Sequence, residues 1–214
     1  MPLDDDDEQP PASPAETLRL IRQQQAEAAR QLNPDPRLVY WPWGIAWLVG
    51  FGLFFLRFGP DDRVFVNLPE WLPLTALFVL LGAAGILSAI TGARSYGQIT
   101  GDSARRGQWY GVAWLLGFVS YGIILGRVTD QQPDDLARLL WAAAAVGLTG
   151  VLHVAGGAIW LDRNLFRLGI WLSAINIVGV YAGPGWHALI VALAGGGGML
   201  IGGTIAWLNR RDRP

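Results

Sequence analysis

Residues 139–161 read LLWAAAAVGLTGVLHVAGGAIWL, twenty-three positions without a formal charge. A single helix of that length crosses a hydrocarbon core of roughly 30 Å. The stretch holds one ionisable side chain, His153, and it sets a pattern that returns elsewhere: small residues at helical spacing, a Trp near each end, and an Arg just beyond one end. Working outward, five further segments share the pattern, at about 39–56, 71–93, 108–126, 166–182 and 186–208. The fold class expected is all-α, a six-transmembrane-helix bundle.

Composition agrees. Charged residues make up 15% of the 214, against about 25% in an ordinary soluble domain. They crowd into the first 37 positions, the connections and the C-terminal end. Gly is frequent at 28 residues, most of it inside apolar runs, where it lets helix backbones approach closely. Cys is absent, which removes disulfides, thiolate chemistry and Cys metal sites. A net charge of −1 gives nucleic acid no purchase.

Four parts follow along the chain. Residues 1–12, MPLDDDDEQPPA, read as a disordered acidic tail. Residues 13–37 form an amphipathic helix and a Pro-rich linker. Ser13 caps, Pro14 opens the first turn and Glu16 completes a capping box. Leu18, Ile21, Gln25, Ala28 and Leu32 give a thin stripe suited to a membrane surface, a second copy or the bundle itself. Residues 38–208 are the transmembrane domain, and 209–214 a basic tail.

Arginine bias orients the bundle. With the N-terminus inside, the inner side carries Arg19, Arg22, Arg30, Arg37, Arg94, Arg105, Arg106, Arg163, Arg167, Arg210, Arg211 and Arg213. The outer side carries only Arg57, Arg63, Arg127 and Arg138. Both termini and the amphipathic helix are therefore expected in the cytoplasm.

An internal repeat is visible. Residues 44–51, GIAWLVGF, match 111–118, GVAWLLGF, at six of eight positions. The even-numbered spans share a Trp-to-Arg frame: Trp71 to Arg94, Trp141 to Arg163, Trp186 to Arg210. A two-helix hairpin used repeatedly, always in one orientation, accounts for both.

Candidate chemistry is sparse. His153 lies roughly 12 Å from the inner end of its span, with Thr149 one turn away on the same face. Asn176 is the other deep polar group, with Ser173 one turn earlier. Together these four form a candidate intramembrane polar site, either a structural strut or a midplane ligand site. Ala194, Gly198, Gly202 and Ala206, spaced by four, form a candidate helix-packing seam. Gly195–Gly198 is not a phosphate loop, because it lies within an apolar span with no Lys after it. No span interior carries Asp or Glu, and His187 is placed beside Trp186 at the outer interface. No G-x-S-x-G, H-E-x-x-H or Cys/His cluster occurs, so no catalytic residue, metal or cofactor is expected.

Tyr40-Trp41-Pro42-Trp43-Gly44 and the run from His153 to Arg163, HVAGGAIWLDR, carry a resemblance. The chain resembles uncharacterised six-span integral membrane proteins of high-GC Gram-positive bacteria, sometimes labelled transporter-like. The likeness covers residues 15–208 and implies a plasma-membrane location without a catalytic motif. Two functional expectations remain. One is a non-enzymatic membrane component, a sensor or assembly partner, meeting a second copy or another membrane protein through the N-terminal helix or a small-residue seam. The other is a small-solute transporter or channel with a site around His153 and Asn176.

Overall fold

The computed structural model describes residues 13–32, 35–96 and 101–211. The expected acidic tail, residues 33–34 of the linker, residues 97–100 of the internal connection and residues 212–214 of the basic tail lie outside the described residues. Among the described residues the chain is helical and has no strand. Six helices are long and apolar enough to cross a membrane. The chain is thus an all-α bundle of multi-pass membrane type.

Helix α1 spans Pro14–Leu32, and its first turn is capped as the sequence implies: the Glu16 N–H donates to Ser13 Oγ at 3.2 Å. The first span, α2, runs Pro36–Arg57 and starts three residues earlier than hydropathy placed it. Asp35 is the reason, since its carboxylate accepts the Arg37 N–H at 2.9 Å and Pro36 takes the first helical position. The second span, α3, is Trp71–Tyr96, and the third, α4, is Asp102–Val128. Residues 102–107, read from sequence as connection, are the first turns of α4. The fourth span, α5, is Asp134–Trp160, and the fifth, α6, is Arg163–Ala182.

The turn between α5 and α6 is tight. Leu161 takes a left-handed conformation (φ 54°, ψ 32°), Asp162 N–H returns to the Gly157 carbonyl, and Asp162 caps the N–H groups of Asn164 and Leu165. The sixth span has three parts: α7 Trp186–Ile190, a π-helical segment Val191–Gly197, and α8 Gly198–Arg211.

The spans stand in a ring that follows chain order. The first packs along the second and the sixth, the fifth along the fourth and the sixth, and the third more sparsely along the fourth. Among the described residues, the joint between second and third spans makes no extended contact. The core comes from spans one, four, five and six, where Ala46, Trp47, Val146, Leu172, Val191 and Met199 are buried together. The third span contributes no buried residue. Helix α1 makes a slight contact with the second span.

Glycines explain the tight joints. A Cβ on Gly157 would lie 2.5 Å from the Phe166 backbone nitrogen, and one on Gly44 would lie 2.9 Å from the Gly196 carbonyl. The repeat is partly mirrored in packing. Gly50 meets Leu77 of the second span, and its counterpart Gly117 meets Leu148 of the fourth. The other pair of repeat glycines differ: Gly44 is seated on the sixth span, whereas Gly111 has nothing within 4 Å.

Candidate functional site

His153 turns back on its own helix. Its Nδ1 lies 2.8 Å from the Thr149 carbonyl oxygen, which can only accept, so Nδ1 carries the proton in this bond. The Thr149 hydroxyl donates in turn to the Ala145 carbonyl at 2.8 Å. The imidazole meets Trp114 of the third span edge to face, with ring centroids 5.4 Å apart. One turn further, the Tyr110 hydroxyl donates to the Leu152 carbonyl, and its ring packs edge-on against Trp160 at 4.8 Å. His153 therefore belongs to the aromatic joint that attaches the third span.

Asn176 is used differently. Its Nδ2 donates to the Ala143 carbonyl of the fourth span at 3.0 Å, and its Oδ1 lies 2.9 Å from His187 Nε2 in the sixth span. Because a carbonyl only accepts, the Ala143 contact fixes which end of the amide is nitrogen. Oδ1 then faces His187, and Nε2 must carry the proton it donates. One amide joins three spans.

His187 is 2% exposed, its side chain turned into the bundle. Its backbone does begin the sixth span, but its ring lies over Gly179, where a Cβ would sit 2.7 Å from Cδ2. That vacancy lets the side chain reach one turn deeper, to Asn176. The readable signal is an Asn and a Gly three apart, followed across a short turn by His.

The four candidate polar residues do not share one site. His153 and Thr149 address their own helix and the third span, while Asn176 bonds to the fourth and sixth. Ser173 Oγ faces Gly150, 2.5 Å from where a Cβ would stand. The seam quartet is likewise divided. Gly198 faces the Trp171 indole nitrogen, and Ala194 lends its carbonyl to that N–H at 3.0 Å. The π-helical register explains this, because a widened turn frees a carbonyl from the i→i+4 ladder. Gly202 has nothing within 4 Å, and the close approach of the sixth span is made by Gly196 and Gly203 against the first.

Among the described residues no buried side-chain nitrogen or oxygen lacks a partner, and no group of three His, Asp or Glu stands together. Comparison with known proteins finds no matching family model, no matching characterised protein and no matching solved structure.

Proposed function

We propose that the protein is a non-enzymatic membrane component, an assembly partner or sensor that presents helix surfaces to another membrane polypeptide. The observation that carries this reading is the division of the polar groups. Asn176 and His187 are spent on each other and on Ala143, and His153 on Thr149. Polar side chains that saturate one another act as struts between helices. The third span meanwhile leaves the Gly111 face open, although its repeat mate at Gly44 seats a helix. A transporter with a shared His153–Asn176 site draws less support, because the two side chains address different spans.

The test is a photoreactive residue at position 111 in the full chain, irradiated in native membranes. An adduct of discrete mass above the monomer supports the reading, whether with another polypeptide or a second copy. Labelling of lipid alone would overturn it.

A further inference from the structure

His153 uses only one of its ring nitrogens within the chain. Nδ1 donates to the Thr149 carbonyl, so in the neutral imidazole Nε2 is left as an acceptor. Nε2 has no partner among the described residues. Every buried side-chain nitrogen among them does have one, so Nε2 must reach the surface of the bundle. Its setting makes that exposure costly. His153 stands seven residues before Trp160, about 10 Å along the helix from an indole that belongs at a membrane interface. At that depth hydrocarbon offers no donor, and an unmet acceptor is a penalty. Asn176 and His187, the other deep polar pair, answer each other instead.

A wall of aromatic rings runs past this nitrogen. Trp160 meets Tyr110 edge to face at 4.8 Å, Tyr110 meets Trp114 at 6.2 Å with planes 81° apart, and Trp114 stacks on Phe118 at 5.8 Å with planes 16° apart. His153 joins in the middle, 5.4 Å from Trp114. Both ends of the wall face outward, Trp160 at 39% exposure and Phe118 at 40%. Residues 108–126 and 139–161, which build it, carry no formal charge. A ligand suited to this place is therefore neutral, dissolves in hydrocarbon, offers an O–H to Nε2 and has a flat ring to lay against indole and phenyl. Phospholipids and diacylglycerol do not fit, because their polar heads stay at the interface, level with Trp160.

We propose that this wall binds the ring of a membrane hydroquinone, whose phenolic O–H donates to His153 Nε2 while the ring lies along Trp114 and Phe118. The oxidised quinone has carbonyl oxygens at the same positions, which only accept, so the site distinguishes the two redox states. It does so by binding alone, with no electron or proton transferred.

The experiment places the full chain, labelled with nitrogen-15 histidine, in phosphatidylcholine bilayers and follows its unprotonated ring nitrogens by solid-state NMR. The signal lost in His153→Leu is that of His153 Nε2. Decylubiquinol, kept anaerobic, should move this signal upfield and leave those of His187 in place, whereas decylubiquinone should not move it. Thermal stabilisation titrated with the two compounds should give an affinity about fivefold higher for the quinol, the worth of one neutral hydrogen bond. His153→Leu should bring the two compounds level, and His153→Phe takes its place if the Leu variant does not fold. A signal indifferent to the quinol, or a quinol preference that survives the loss of His153, would overturn the proposal. An equal shift with dodecanol would also overturn it, because any membrane alcohol would then serve.

Discussion

Asn176 places two hydrogen bonds across three helices, and its loss should be felt more than that of His153. Replacing Asn176 by Leu strands His187 Nε2 and removes the second donor to the Ala143 carbonyl, which keeps its own helical bond, at a cost of about 1–2 kcal/mol. His187→Phe should cost about 1 kcal/mol, and the double variant less than the sum, since both changes remove the same bond. Thermal unfolding in detergent, read as a double-mutant cycle, checks this; strict additivity would mean the pair is not bonded. His153→Leu gives up one bond within its own helix and should cost 1 kcal/mol or less, roughly, with His153→Gln milder still because the amide can donate to the same carbonyl. Sequence made Asn176 and His153 legible, because a polar atom at bilayer depth must find a partner. It could not supply the partner of Asn176. His187 sits next to a turn in the chain, and only the missing Cβ at Gly179 lets its ring reach inward.

At the scale of helices, glycine position matters more than glycine number. Gly157→Ala or Gly196→Ala forces a methyl against the backbone of a neighbouring span and should destabilise by about 1–3 kcal/mol. Gly111→Ala and Gly202→Ala meet open space and should stay within about 0.5 kcal/mol of the parent. Unfolding temperatures of the four variants separate the two classes, and equal losses would contradict the packing described. The six helices were legible because length and apolarity are properties of a segment alone. The seam of Ala194, Gly198, Gly202 and Ala206 was legible only as a stripe. A spacing of four marks a face of an ideal helix, but the π-helical segment shifts register within that span, so Gly196 and Gly203 meet the first span instead.

For the whole molecule, short connections between antiparallel helices made a ring in chain order the natural outcome, and the structure follows it except at one joint. Nothing in hydropathy distinguishes the second and third spans as the pair that stands apart, because that depends on surfaces rather than composition. Helix α1, with Leu18 and Ile21 exposed and a slight contact with the second span, is peripheral. Removing residues 1–33 should leave the unfolding temperature of the bundle nearly unchanged, and aggregation of the truncated protein in detergent would count against that. Reporter fusions after Gly59 and Gln132 should both report the outer side, with fusions after Gly101 and Pro214 inside. The closure of the ring also has a consequence in time. The first span, made first, has its close glycine face against the sixth, made last, so Gly44 must wait for almost the whole chain to be synthesised. Until Gly196 emerges, the nascent protein holds one half of that joint open to lipid or to the insertion machinery. A ribosome stalled after Gly185 would leave a five-span product without that joint, a ready substrate for membrane quality control.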